Sequence, residues 1–219
     1  MFTVVLPVHG GAASVRALDG EDERAVDAVD TRTAIALLQR VVTGPDPARL
    51  AAADRDRLLA AVYTSTWGRD IESVECCDAC GKRFDLRFSI DNLAAALDLD
   101  RPAAAERQPD GTYRTPHGSV FRLPAFDDEI GLTSPSELLA RCVVHRDASD
   151  DDDALEAAME AVAPLIDLNV DAACPECGHA QQIRFNIQSY VLGRLVQERH
   201  RLLSEIHALV CSNAPRRRR

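Results

Sequence analysis

Apolar and polar residues alternate over three short stretches, 84–90, 166–171 and 183–187. Successive side chains of a β-strand point to opposite faces, so this period predicts half-buried strands. A short apolar run over 2–8 predicts a further strand near the start of the chain. Two β-prone stretches that flank Pro116-His117-Gly118 predict a hairpin over 113–123.

Elsewhere apolar residues recur every three or four positions, which is the period of an amphipathic helix. The longest such stretch ends the patterned part of the chain. The predicted helices cover residues 31–42, 48–66, 91–98, 135–144, 153–162 and 189–210. The polar run Asp54-Arg55-Asp56-Arg57 is expected to lie away from the apolar side of its helix.

Two cysteine motifs interrupt the strand patterns, and we call each CxxCG segment a knuckle. The first is Cys77-Asp78-Ala79-Cys80-Gly81, and the second is Cys174-Pro175-Glu176-Cys177-Gly178. Residues 86–90 and 183–187 follow at the same distance from their knuckles and share an alternating pattern. Two residues between thiolates let one tight turn aim both sulfurs at one ion, and the glycine permits a positive φ. Each half of the repeat therefore predicts strand, knuckle, strand.

The two knuckles together offer the ligand set of a structural zinc site. Structural zinc takes four ligands in a tetrahedron, and all-cysteine sites are common. The sequence therefore predicts one Zn²⁺ bound by Cys77, Cys80, Cys174 and Cys177. The long insertion between the pairs is acceptable, since loop-closure entropy grows only with the logarithm of length. Four thiolates leave no position for water, so the site is expected to be structural rather than catalytic.

Other assignments of the cysteines stay open at this point. Cys76 could compete with Cys77 for the metal, although only Cys77 matches the register of the second knuckle. His179 could replace one ligand, and the cysteines could also be a reduced, metal-free relic, disulfides or a redox pair. Cys142 and Cys211 fall in or near predicted helices and are expected to be packed or free thiols.

These patterns predict an α+β protein, mostly helical, with a split zinc-ribbon-like core of two knuckles on β-hairpins and a long C-terminal helix. The core is expected to consist of two separate pieces of chain. The predicted units are 1–70 (strand and helices), 71–90 and 166–188 (the two halves of the core), 91–165 (an insertion with a hairpin and two helices), 189–210 (the long helix) and 211–219 (an Arg-rich tail).

Composition and charge limit the cellular compartments and the kinds of partner that can be expected for this chain. The chain has 219 residues, 46% apolar and 27% charged, which is typical of a globular protein. Its start has no basic, apolar leader pattern, and no run of about 18 apolar residues could span a membrane. Seven cysteines without an export signal favour a reducing compartment, so we expect a cytoplasmic protein without a membrane partner.

The sequence offers no catalytic constellation, so we expect a protein that is not an enzyme. It has no phosphate-binding loop, no HExxH and no GxSxG. Zinc ribbons often bind nucleic acid, and the terminal arginines at 216–219 could touch a polyanion. The net charge of -10 argues against that alternative. The helix 189–210 could be a core helix or could dock onto a partner protein.

Five further segments accompany the two CxxC pairs in a fixed order along the chain. They are Val5-Leu6-Pro7, Gly20-Glu21-Asp22-Glu23, Asp54-Arg55-Asp56-Arg57-Leu58-Leu59, Phe121-Arg122-Leu123-Pro124 and Leu202-Leu203-Ser204-Glu205-Ile206-His207-Ala208-Leu209. This order of motifs resembles one family, the T4-type baseplate hub assembly chaperones of tailed phages and phage-tail-like contractile injection systems. The likeness covers about residues 4–209. The C-terminal segment departs from the family, because the arginines follow almost directly after 202–209 and the chain then stops.

The resemblance implies a non-enzymatic role in assembling, or forming part of, the hub or baseplate of a contractile tail. It implies baseplate, hub or tail proteins as partners. The residues alone also indicate a structural metal site and an acidic chain, and they do not by themselves indicate a baseplate protein.

Overall fold

The computed structural model describes residues 1–99 and 104–212, which form a mixed α+β fold. The same order of elements occurs twice along the chain: a hairpin, two helices, a short strand, a helix, a second hairpin and a final helix. The first half contains β1 Phe2–Leu6, β2 Gly11–Val15, α1 Gly20–Ala25, α2 Thr31–Val41, β3 Val42–Thr43, α3 Ala52–Trp67, β4 Asp70–Cys76, β5 Arg83–Ser89 and α4 Ile90–Leu99. The second half contains β6 Glu106–Arg107, β7 Tyr113–Arg114, β8 Val120–Phe121, α5 Phe126–Glu129, α6 Pro135–Cys142, β9 Val143–His145, α7 Asp152–Val162, β10 Asp167–Ala173, β11 Ala180–Asn186 and α8 Ile187–Ser212.

Each half begins with a small antiparallel sheet and then forms a separate hairpin. In the first half the sheet order is β1-β2-β3, and in the second it is β6-β7-β8-β9. The hairpins β4-β5 and β10-β11 pair only within themselves among the described strands. A two-stranded hairpin alone is at best marginally stable, so these two depend on what they pack against.

A cluster of one buried aspartate and two partly exposed arginines joins the sheet and helices of the first half. Asp22 of α1 is fully buried and accepts hydrogen bonds from Arg16 at 2.6 and 3.0 Å and from Arg40 at 2.8 Å. Arg16 also donates to the carbonyl of Arg40, and its backbone N–H to that of Val41. Burial alone raises the pKa of Asp22, but these donors outweigh it and lower the pKa to about 2.

The second half repeats this arrangement with its own residues. Asp128 of α5 accepts two hydrogen bonds from Arg122, both at 2.6 Å. Arg122 donates to the carbonyl of Arg141, and its backbone N–H to that of Cys142. The Arg122 guanidinium holds the pKa of Asp128 below its usual value. The same strand-to-helix bridge therefore occurs once in each half.

The two hairpins correspond equally closely. Arg87 bonds to Asp70 at 2.5 Å across the first hairpin, and Arg184 bonds to Asp167 at 2.9 Å across the second. In both hairpins the final helix starts with an isoleucine N–H that bonds to the residue just before the first strand. The sequence repeat of the knuckles is thus part of a structural duplication that spans the described chain.

The main hydrophobic core lies in the first half and extends to α8. It contains buried side chains from the first sheet, α2 and α3, and from the start of α8. A smaller core in the second half is formed by Tyr113, Phe121, Leu139, Leu155 and Ala158. The predicted boundaries between the units of the chain stay predictions. No helix among the described residues has the length and apolar character needed to cross a membrane.

The polar run of α3 is buried, so the expectation that it lies off the packed side is wrong. Asp54 and Arg55 are 0% and 5% exposed. Both Asp54 carboxylate oxygens accept N–H bonds from the β1–β2 turn, at Val8 and His9. Arg55 forms an ion pair with Glu129 of α5.

The next two residues of α3 hold two further segments. Asp56 accepts the backbone N–H of Ile166 at 2.9 Å, just before β10. Arg57 donates to the carbonyl of Ala94 in α4 at 3.1 Å. Four consecutive polar residues thus fix four distant segments to one helix. Because a buried polar group needs a hydrogen-bond partner, these contacts offset the desolvation cost of burying the polar run.

The start of one helix differs locally from the sequence prediction. α2 begins at Thr31 as predicted, and Asp30 caps it. The helix predicted from residue 48 begins at Ala52, after a 3-10 turn at Pro47–Arg49. The predicted Arg-rich tail covers 211–219, of which residues 211 and 212 end α8 and residues 213–219 lie outside what the structure describes. The side chain of Cys211, predicted to be packed or free, also lies outside the described part.

Candidate metal centre

The first knuckle is the turn of the β4-β5 hairpin. The backbone N–H of Cys77 bonds to the carbonyl of Lys82 at 2.9 Å, and the N–H of Gly81 bonds to the carbonyl of Cys77 at 2.8 Å. Gly81 has a φ of 68°, and no atom lies within 4 Å of where a Cβ would stand. The glycine is therefore needed for its backbone conformation and not for lack of space.

The second knuckle has the same backbone construction between β10 and β11. The N–H of Cys174 bonds to the carbonyl of His179 at 2.9 Å, and the N–H of Gly178 bonds to the carbonyl of Cys174 at 2.9 Å. Gly178 has a φ of 71° and equally open surroundings. Two sequence motifs of the same spacing thus produce two turns with the same backbone hydrogen bonds and a positive φ at the glycine.

The structure brings the four predicted cysteines together at one point between the hairpins. Sγ of Cys77 lies 3.6 Å from Sγ of Cys177, and Sγ of Cys80 lies 3.8 Å from Sγ of Cys174. All four sulfurs lie within 4.8 Å of one another. A tetrahedral ion with bonds of about 2.3 Å to sulfur requires edges of about 3.8 Å. The spacing fits a four-coordinate metal ion, and the site could hold one.

The cluster is half enclosed by protein. Cys77 and Cys174 are 2% and 1% exposed, whereas Cys80 and Cys177 face the solvent. Phe84 of β5 packs against the two buried cysteines, together with part of Ala172 and Ile183. The first cysteine of each knuckle therefore anchors the site in apolar packing, and the second closes it from outside.

The sulfurs influence one another electrostatically. Backbone N–H groups of Cys80 and Ala79, with neighbouring thiols, lower the pKa of Cys77 to about 6. At Cys177 the backbone N–H of His179 also favours the thiolate, but the surrounding sulfurs and desolvation raise the pKa to about 12. One thiolate forms readily and disfavours the next, so a cation is needed before all four can be charged.

Gln181 links the two knuckles directly, and sequence reasoning missed it. Its Oε1 accepts the backbone N–H of Asp78 at 3.1 Å, and its Nε2 donates to the carbonyl of Cys76 at 3.1 Å. Gln181 occupies the position in β11 that Phe84 occupies in β5. A polar residue where the other repeat has a buried phenylalanine was the available signal.

The remaining cysteines and the histidine lie apart from the cluster. Cys76 is exposed, and its thiol lies 3.5 Å from the carbonyl of Gly81. Cys142 is buried in the second half, where burial raises the pKa of its thiol to about 11. His179 contributes backbone hydrogen bonds to the second knuckle. Among the described residues, only the four cysteines named above form a group that could hold a metal ion.

Comparison of the chain with protein-family models, with curated proteins and with solved structures found no match. The function is therefore inferred from the motifs and from the geometry of the site.

Proposed function

We propose that this protein is a non-enzymatic assembly factor, or a baseplate or hub component, of a phage-tail-like contractile injection system. A zinc ion would staple its two halves together. The observation that carries the staple is the spacing of the four sulfurs, two from each half, at the edges of a zinc–thiolate tetrahedron. The assignment to a contractile system is supported by the order of motifs along the chain.

Zinc is the metal that the donor set favours. Tetrahedral all-sulfur sites take zinc or iron, and zinc is redox-inert and stable in a reducing compartment. The construction resembles a zinc ribbon, with two CxxCG turns on antiparallel hairpins. A Cys₄ set fills the coordination sphere, so the ion would hold structure and would not activate water.

The segments that carry the family resemblance hold elements of this fold together through hydrogen bonds and ion pairs. Asp54-Arg55-Asp56-Arg57 fixes four distant segments to α3. Asp22 of Gly20-Glu21-Asp22-Glu23 and Arg122 of Phe121-Arg122-Leu123-Pro124 belong to the repeated strand-to-helix bridges. Such motifs specify a fold rather than a reaction, which supports a scaffold or assembly role.

The test is recovery of partners from the native host. Tagged protein, captured at moderate salt, is expected to bring down tail-tube, spike or baseplate proteins identified by mass spectrometry. Deletion of the chain is expected to reduce the yield of assembled particles. The Cys77→Ser variant should lose these partners, while Cys76→Ser, which changes the neighbouring exposed thiol, should keep them.

Two outcomes would contradict the proposal. One is an eluate with no tail protein together with unchanged particle assembly in the deletion strain. The other is recovery of nucleic acid with ribosomal or transcription proteins, which would favour a zinc-ribbon nucleic-acid binder.

A further inference from the structure

The duplication gives each half a comparable helical face, and in the first half α8 covers it. α8 packs against α1, α2 and α3, and its residues Val191, Leu192 and Leu195 are buried there. Leu37 of α2 is only 1% exposed in this core. At the far end of the contact Arg199 donates to the carbonyl of Val26 at 3.2 Å. The covering element is thus a helix with an apolar stripe and arginines beside it.

In the second half the corresponding face is open. The pattern Leu-Leu-x-Arg-x-Val occurs at 37–42 in α2 and again at 138–143, where it covers α6 and enters β9. Leu139, the counterpart of Leu38, is buried in the smaller core, but Leu138, the counterpart of Leu37, is only half-buried. α4 has the chain position in its half that α8 has in the other, and its described residues pack on α3 and β5.

The open face borders a cleft of about 650 Å³, which we call the α6–α7 cleft. Its apolar lining includes Leu132, Leu138, Met159 and Leu165. Leu165 is 41% exposed, which is high for a leucine beside three other apolar side chains. An open apolar cleft at the place where the other half holds a helix is suited to receive one.

The rim of the cleft is acidic. Glu156 and Glu160 lie one turn apart on α7, and both are exposed and line the cleft. Neither forms a salt bridge with another described residue. The nearby cations are already used, since Arg55 pairs with Glu129 and Arg184 with Asp167. The charge of the cleft therefore complements a basic partner.

Two lining residues also carry unsatisfied polar atoms. Nη1 of Arg55 and Oδ1 of Asp167 are buried and have no hydrogen-bond partner in the part of the chain that the structure describes. The Arg55 side chain is only 6% exposed. A buried polar atom without a partner is costly, so a ligand that brings both an acceptor and a donor would relieve the cost. A polypeptide segment with basic side chains offers both.

We infer that the α6–α7 cleft binds an amphipathic helix of a partner protein. The apolar stripe of that helix covers Leu138 and Met159, and its basic residues face Glu156 and Glu160. α7 has 11 residues and is therefore about 16 Å long, so a partner helix of about three turns spans it. The inference rests on the proposed function, because it names the surface that an assembly factor uses.

The first experiment uses a defined probe and the full-length, metal-loaded protein. The probe is a fluorescent 18-residue synthetic helix with leucines on one face and arginines on the other, and a second probe carries glutamates in place of the arginines. Anisotropy should show binding of the basic probe and at least tenfold weaker binding of the acidic one. Hydrogen exchange should slow at α6 and α7 when the basic probe is present.

Variants then localise the binding. Glu156→Lys with Glu160→Lys should weaken the basic probe at least tenfold, and Leu138→Asp should do the same without changing rim charge. The matched control is Glu21→Lys with Asp153→Lys, which makes the same charge change at exposed positions outside the cleft. It should change affinity less than twofold. Metal content and circular dichroism of every variant should match the parent.

Several results would overturn the inference. Equal losses in the cleft and control variants would show general charge attraction, and protection away from α6 and α7 would place the site elsewhere. Protection that grows with protein concentration without a probe would identify a second copy as the occupant. If the cleft variants still recover tail proteins from the host, the cleft is wrong while the proposed function stands. If the parent recovers none but the probe binds as expected, the surface stands and the proposed function fails.

Discussion

Adjacent cysteines with different surroundings allow a sharp test of the metal staple. Cys77 is 2% exposed and lies in the four-sulfur cluster, whereas Cys76 is exposed and outside it. Structural zinc contributes roughly 10–16 kcal/mol in small peptides, so one thiolate of four accounts for about 3 kcal/mol. Cys77→Ser should therefore weaken zinc affinity about a hundredfold. Cys76→Ser makes the same chemical change one residue away and should leave affinity within twofold.

The assay measures metal and stability on the same samples. Zinc content is determined by mass spectrometry after dialysis against a weak chelator, and the free energy of unfolding by urea titration with and without a strong chelator. The parent and Cys76→Ser should lose stability on chelation, and Cys77→Ser should begin near the chelated value. Equal zinc content and equal stability in the two variants, or no effect of chelation on the parent, would refute the staple.

Three further predictions concern single residues, and each is tested by measuring the free energy of unfolding in urea. Asp22→Asn should lower the free energy of unfolding by about 2 kcal/mol at pH 7. A carboxylate whose pKa falls to about 2 on folding stabilises the fold at pH values above its unfolded pKa. An unchanged free energy of unfolding would show that the arginine contacts contribute nothing. Desolvation raises the pKa of Asp56 to about 7, so stability should fall as pH rises from the unfolded pKa toward the folded one. Between pH 5.5 and 7.5 the parent should lose about 2 kcal/mol more than Asp56→Asn, and parallel curves would contradict this. Gly178→Ala should lower the free energy of unfolding by about 1 kcal/mol, because the φ of Gly178 is 71°. The control Gly193→Ala, within α8, should be neutral or stabilising. Equal effects of the two substitutions would show that the positive φ of Gly178 is not the cause.

The knuckles were predictable because their chemistry is local. Cysteine spacing and the glycine that follows fix each turn, and the shared register favours Cys77 over Cys76. Alternation of apolar residues predicted β5, β10 and β11, since that period depends only on which face is buried. That the two cysteine pairs lie together could be inferred only from the coordination number of a structural zinc ion. Nothing in the sequence around Cys80 or Cys174 specifies the other cysteine as a neighbour.

The burial of the α3 polar run could not be predicted in this way. Asp54, Arg55 and Asp56 have the composition of a solvated helix face, and their partners are distant in sequence. A one-dimensional pattern counts a charge as exposed, whereas a folded chain can bury it when a backbone donor or counter-charge arrives from elsewhere. The full duplication was hidden for a related reason. Insertions change the spacing between repeated motifs, so the repeat is visible only in short segments such as the knuckles and Leu-Leu-x-Arg-x-Val.

The duplication also explains why the candidate metal site lies where it does. Among the described strands each hairpin pairs only within itself, so neither gains stability from a larger sheet. Each supplies two thiolates, which is half of a structural site, and neither half can bind a four-coordinate ion alone. The free energy of metal binding is therefore available only when both hairpins are folded and adjacent. Because Gln181 of the second hairpin also bonds to the first knuckle, the polar link and the metal site favour the same arrangement. A cluster built in this way couples the folding of the two hairpins in addition to the main core, which already contains Ile71 of the first hairpin and Phe185 of the second.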